Sequence, residues 1–166
     1  MNRMHRRLET IANGLIILVA VVTISLFVRQ YVVERKTPSL QKPAVGSRLM
    51  IEGINWAENG KTVILTLSSR CRFCALSAPF YRHLVEISRE TGAMKIVAIV
   101  PHSVEEGQTF LSSLGVEVDD IRTVDLSIVG ASATPTLILV NDKGIIVDSR
   151  VGMLSPETEA EILANF

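Results

Sequence analysis

The sequence predicts an α/β domain, a mixed β-sheet flanked by helices, carried behind an N-terminal transmembrane helix. Three observations predict it: an uncharged run near the N-terminus, an alternation of β-rich and helical runs after residue 48, and a four-residue connection between the last two strands. The 166 residues suffice for one domain with a proper core and a tail. Seventeen Lys and Arg balance seventeen Asp and Glu, so no basic surface points to nucleic acid and no acidic block to a disordered tail. Mean hydropathy is nevertheless positive, so one segment must carry the apolar excess.

That segment is residues 11–28, "IANGLIILVAVVTISLFV". As a helix it measures ~27 Å, close to the roughly 30 Å of a bilayer's hydrocarbon core. Its polar interruptions are Asn13, Thr23 and Ser25, too few for the polar face of an amphipathic helix. Arg3, Arg6 and Arg7 resemble the charged start of a signal peptide, but the run ends "SLFVRQ" without a small-x-small cleavage site. An uncleaved anchor is therefore expected at 11–28, after a basic tail at 1–10. Arg29, Arg35 and Lys36 balance the charges ahead of it, so the positive-inside rule leaves orientation open. The following stretch, with Pro38 and Pro43 among polar residues, reads as a linker (29–47), and the folded domain as 48–166.

Within the domain, "RLMIEGINW" and "KTVILTL" are β-rich runs separated by the turn signal Asn59-Gly60. Residues 71–92 read as one helix whose face is Phe73, Leu76, Phe80, Leu84 and Ile87, ending at Gly92. "MKIVAIV" is a buried strand, and "SVEEGQTFLSSLG" a helix capped by Ser103 with Glu106 three positions on. "IRTVDL", "TLILV" and "IIVDSRV" are further strands, and a final helix starts at Ser155-Pro156. The early alternation implies parallel neighbours joined by crossovers, and the turn "NDKG" an antiparallel hairpin. Helices are expected on both faces.

The chemistry centres on "SSRCRFCALSAP", which holds both cysteines of the chain, Cys71 and Cys74. Cys71 falls at the mouth of a helix, where unsatisfied N–H groups and the positive end of the dipole lower a thiol pKa. Arg70 and Arg72 push the same way. Cys71 is thus the candidate nucleophile toward a disulfide, and Cys74, one turn inside, the resolving thiol. A zinc site needs two more ligands, for which the soft candidates are His83 and His102. A structural disulfide would close a very short loop and add little stability. His83 reads as a surface residue, whereas His102 ends a strand near the predicted sheet edge and is a candidate to approach the cysteines. Trp56 reads as packing. Thr134-Pro135-Thr136 stands before a strand, where a proline is tolerated and a cis bond would set a tight turn.

Together the CxxC after a buried strand, Pro79 five residues beyond Cys74, "TPT" before a hairpin, and "VGMLS" before the last helix resemble the thioredoxin superfamily. The longer interval from Cys71 to Pro135, with its extra helix and strand, is similar to the insertion of membrane-anchored TlpA and ResA type proteins. The resemblance covers residues 48–166. It implies a cis Pro135 beside Cys71, a Thr134 backbone that pairs with extended substrate, and a domain outside the cytoplasm, on the inner membrane. It implies a redox-active Cys71–Cys74 disulfide and no other cofactor. The partners implied are protein thiols and disulfides and a transmembrane electron donor.

The chain departs from that family at three positions. Arg70 replaces the tryptophan before the first cysteine, Leu65 a buried acid on the preceding strand, and Ser77 the glutamate of ResA type proteins. The two arginines are expected to favour the thiolate and make a more oxidising couple than thioredoxin. The reading is a membrane-tethered thiol-disulfide oxidoreductase. Its alternatives are a peroxidase, with Ser68 three before Cys71 but Ile64 where such enzymes carry proline, and a non-catalytic module that binds a partner or copper.

Overall fold

The structure, a computed structural model, describes residues 13–27 and 41–164. Residues 13–27 form helix α1 with exposed side chains. Among the described residues no helix is long and apolar enough to cross a membrane. The expected tail, both ends of the expected anchor and residues 29–40 of the expected linker lie outside them.

The second unit is a five-stranded sheet in the order β3-β2-β1-β4-β5, formed by β1 (Lys61–Thr66), β2 (Met94–Val100), β3 (Asp120–Thr123), β4 (Thr136–Val140) and β5 (Ile146–Val151). β1 takes the centre because Thr62 to Thr66 are buried on both faces, which suits a continuous apolar and β-branched run. β2 lies parallel to it and β4 antiparallel, as the crossover and hairpin argument requires. β3 is parallel to β2, and β5 is antiparallel to β4.

One face of the sheet packs Val63, Leu65, Ile96 and Ala98 against Phe80, Tyr81 and Leu84 of α4 (Ala78–Thr91), Leu111 of α5 (Val104–Ser113) and Ile162 of α6 (Pro156–Ala164). The other face buries Ile64, Ile99 and Ile138 against Leu49, Ile51, Val129 and Ala131. Helices on both faces were expected. Among the described residues the second face instead carries irregular chain and the one-turn α2 (Trp56–Asn59), whose Trp56 packs on that cluster.

Three other expectations change. Residues 48–56 are not a strand: Arg48 makes an isolated bridge to Ile145, and Gly53, at φ +77°, turns the chain toward Asn55, which caps α2. Residues 41–47 are part of the domain, because Pro43 O accepts the Ser149 hydroxyl at 2.8 Å and Gly46 N–H donates to Ile146 O at 2.8 Å. The helix expected over 71–92 is two, α3 (Arg72–Leu76) and α4, meeting at Ser77. Pro79 has no N–H to continue the ladder across that joint. The inward face also shifts: Phe73 and Leu76 are 54% and 51% exposed, while Cys74, Ala78 and Tyr81 are buried.

Candidate active site

β1 delivers the chain to the site. Leu67 N–H still bonds to Ile99 O of β2 at 2.9 Å, after which residues 68–70 leave the sheet and Cys71 N–H donates to Ser68 O at 3.0 Å. Cys71 is the N-cap of α3, in an extended conformation, and its Sγ accepts the Cys74 N–H at 3.2 Å. A serine or aspartate commonly does this work, capping an otherwise unpaired amide. Here a sulfur does it, so the same bond that starts the helix stabilises negative charge on the thiol.

Both cysteines are free thiols in very different surroundings. Cys71 is half-buried, and its S–H donates to Thr134 O at 3.2 Å. Partial burial raises its pKa, but hydrogen bonds from the side chains of Cys74 and Thr134 and from the backbone N–H groups of Cys74 and Phe73 outweigh that, and the thiol falls below its ordinary 9.0. Cys74 has no exposed surface. Burial first, and then the Cys71 hydrogen bond and charge, push its thiol up to about 12. One sulfur is poised as a nucleophile and the other is held as a thiol.

The second wall of the site comes from the chain entering β4. The Thr134–Pro135 peptide bond is cis, Pro135 is buried, and Thr136 N–H donates to the Thr66 hydroxyl at 3.0 Å. The Thr66 hydroxyl in turn donates to Thr136 O at 3.2 Å, which ties this wall to the strand that carries Cys71.

Arg70 and Arg72 are both exposed. Arg70 N–H donates to the Ser68 hydroxyl at 3.3 Å, and its charge helps hold down the Glu106 carboxyl after the leading effect of the Ser69 hydrogen bond. The groups that lower Cys71 are hydrogen-bond donors. His83 is exposed on α4. Among the described residues, no three His, Cys, Asp or Glu are grouped to hold a metal ion.

His102 does reach the site. Its Nε2 accepts the Ser69 N–H at 3.2 Å, and the Ser69 hydroxyl donates to Glu106 Oε1 at 2.5 Å. The pairing follows from register: β1 and β2 run parallel with Lys61 opposite Met94, so the same offset carries Ser69 to His102. Parallel pairing was legible in the sequence, the offset was not. Tyr81 is a residue that sequence reasoning missed. Buried on α4 in one cluster with Cys74, it has no hydrogen-bond partner at its hydroxyl. In sequence it is merely an aromatic residue in an amphipathic helix.

No protein-family model matches the sequence, and no curated protein matches it. Solved structures do. A putative protein disulfide isomerase from Bacteroides thetaiotaomicron superposes with a TM-score of 0.62 at 16% identity, over 76% of this chain and 91% of that one. A putative thiol:disulfide interchange protein DsbE from Chlorobium tepidum gives 0.56 at 16% identity, over 76% and 97%. A secreted disulfide oxidoreductase of Mycobacterium tuberculosis, homologous to E. coli DsbE, gives 0.50 at 17% identity, over 64% and 82%.

The domain has the thioredoxin-like fold. In this fold, Cys71 and Cys74 occupy the first turn after the central strand, and the cis Thr134–Pro135 bond faces them across the end of the sheet. The residues expected to line the site, Cys71, Cys74, Thr134 and Pro135, therefore stand together.

Proposed function

We propose that the chain is a membrane-anchored, extracytoplasmic thiol-disulfide oxidoreductase that exchanges electrons with protein disulfides through Cys71 and Cys74. The observation that carries the reading is the asymmetry of the pair: a half-buried Cys71 held toward thiolate by hydrogen bonds, and a buried Cys74 kept protonated beside it. In the reductive direction the Cys71 thiolate attacks a substrate disulfide and displaces one thiolate, forming a mixed disulfide. Cys74, deprotonated, then attacks Cys71 Sγ, closes the Cys71–Cys74 disulfide and releases the second substrate thiol. The half-buried Thr134 backbone is the pairing site for extended substrate, and the redox-active disulfide serves without another cofactor.

Location and partners rest on sequence: the apolar run at 11–28 supports an anchor in the inner membrane, and the secreted relative from M. tuberculosis supports a domain beyond it. A transmembrane electron donor would then return the pair to thiols.

In the test, Cys74→Ser and Cys71→Ser variants of the full chain are expressed in a bacterial membrane and free thiols are blocked with acid and alkylating agent. Cys74→Ser should accumulate reducible adducts with other proteins, and Cys71→Ser none. Adducts from neither variant, with no exchange of the purified chain against glutathione disulfide, would overturn the reading. Hydrogen peroxide consumption faster than disulfide exchange would replace it with a peroxidase.

A further inference from the structure

The backbone ladder between β1 and β2 ends before the loop that carries the chain to Cys71. Leu67 N–H donates to Ile99 O at 2.9 Å, and in a parallel ladder the next donor on that side of the strand is Ser69 N–H, two residues on. Its acceptor is a side chain: His102 Nε2 takes the Ser69 N–H at 3.2 Å. The Ser69 hydroxyl donates to Glu106 Oε1 of α5 at 2.5 Å. Both donors of Ser69 are therefore gripped, and Cys71 follows two residues later. Arg70 N–H and Cys71 N–H bond back to Ser68 within the loop itself, so they do not tie it to the sheet. Ser69 does.

That grip depends on the charge of the imidazole, whose side chain is 16% exposed. A ring nitrogen accepts only without a proton, so the bond from Ser69 N–H places the neutral ring's proton on Nδ1. Nδ1 is buried without a hydrogen-bond partner, and Glu106 Oε2 stands 3.9 Å from it. A second proton, on Nε2, would set an N–H against the Ser69 N–H and break their bond. Glu106 would then be shared between the imidazolium and the Ser69 hydroxyl. The charged groups around the ring are that carboxylate and Arg70. The Glu106 carboxyl lies below its ordinary range through the Ser69 hydrogen bond first and, against desolvation, through His102 and Arg70. β3 contributes the uncharged Thr123, whose hydroxyl donates to His102 O at 2.7 Å, and its Arg122 is paired with Asp120.

We propose that His102, as a neutral imidazole, is a positioning residue for Cys71: through Ser69 N–H it holds the loop that sets the nucleophile against the Thr134–Pro135 wall, and protonation of the ring releases that loop. This rests on the reading of the two cysteines as an exchanging pair. A held loop keeps Cys71 Sγ 3.2 Å from Thr134 O, beside the backbone proposed to pair with extended substrate. A released loop leaves Cys71 able to react but loses the alignment that a paired disulfide needs. Exchange therefore slows in acid by more than the loss of thiolate accounts for.

The test measures two rates on the reduced full chain between about pH 5 and about pH 8, the range in which histidine changes charge. One is alkylation of Cys71 by iodoacetamide. The other is attack on glutathione disulfide, in which the Cys71 thiolate bonds one sulfur and displaces the other as glutathione thiolate. Both need the thiolate, so their ratio cancels its ionisation. In wild type the ratio of exchange to alkylation should fall by roughly fivefold as pH is lowered through that range, about what one net hydrogen bond contributes to an equilibrium. His102→Gln, whose amide oxygen can accept Ser69 N–H but does not titrate, should keep the ratio near its high-pH value throughout, and His102→Leu should keep it low throughout. Titration of the glutathione itself would appear in all three chains alike. A wild-type ratio that does not change with pH, or an equal fall in His102→Gln, overturns the proposal. Should the variants not fold, the amide resonance of Ser69 in isotope-labelled wild type replaces them: a resonance that stays fixed while the ratio falls overturns it. A wild-type chain that is alkylated at Cys71 yet never reacts with glutathione disulfide overturns the exchange reading itself, which is a different outcome.

Discussion

Thr66→Val tests how the two walls of the site are joined. Thr66 has no exposed surface, and its hydroxyl both accepts Thr136 N–H at 3.0 Å and donates to Thr136 O at 3.2 Å. Valine keeps the shape and deletes both bonds. Loss of the donated bond costs about 1 kcal/mol, and the Thr136 amide, 1% exposed, is left buried without its acceptor at about 1–3 kcal/mol more. The added methyl returns up to ~0.8 kcal/mol. The net expectation is a loss of about 1–3 kcal/mol, which at ~1–3 kcal/mol per molar urea moves the unfolding midpoint down by roughly 1 M. Trp56, the single tryptophan, reports the transition by fluorescence. Thr62→Val is the control: it is equally buried in the same strand, but its hydroxyl makes one long 3.5 Å bond to Gly60 O. It should lose less than about 1 kcal/mol. Equal losses in the two variants, or a Thr66→Val chain within about 0.5 kcal/mol of wild type, would refute the argument that hydrogen bonds to Thr136 hold the Pro135 wall against β1.

Three further outcomes are expected. At neutral pH iodoacetamide should modify Cys71 alone, and Cys71→Ser should leave Cys74 unreactive over the same period, since Cys71 is lowered and Cys74 is raised to about 12; mass spectrometry of the alkylated chain decides it. The raised Cys74 pKa also sets a pH dependence of stability in the reduced chain. Its contribution is fully present below the ordinary value of 9.0 and is lost as pH rises toward about 12, because the unfolded thiol ionises first. Urea titrations should show that extra decline of up to ~1.4 kcal/mol per pH unit above 9, and Cys74→Ala should abolish it. Gly144→Ala should destabilise by about 2 kcal/mol or more and perturb Trp56 fluorescence, since φ is +75° and the new Cβ would stand 2.9 Å from Trp56 Cδ1; unchanged emission and midpoint would contradict that contact.

The sequence by itself determined much of the plan of this protein. Periodicity distinguished β1 and β2 from the helices, the short "NDKG" connection required an antiparallel hairpin, and Ser103 capped α5 where its spacing to Glu106 placed it. These are local features, readable because each follows from neighbours within a few residues. Cys71 at a helix mouth was legible for the same reason.

Tertiary structure decided what depends on residues far apart. The "RLMIEGINW" run looks like a strand until Gly53 and the cover it supplies to Ile64 and Ile138 are seen to bend it into irregular chain. The helical face read as Phe73 and Leu76 turned to solvent because α3 and α4 meet at Ser77, and packing against the sheet chose Cys74 and Tyr81 instead. The approach of His102 to Ser69 needed the register of β2 on β1, and that of Thr134 to Cys71 needed β4 beside them. The small cavity lined by Ser77 and Tyr81 exists only where β1, β4 and α4 converge. Hydrophobic pattern says which residues are buried; only packing decides which buried polar groups meet, as the Thr66 hydroxyl meets Thr136 across the sheet.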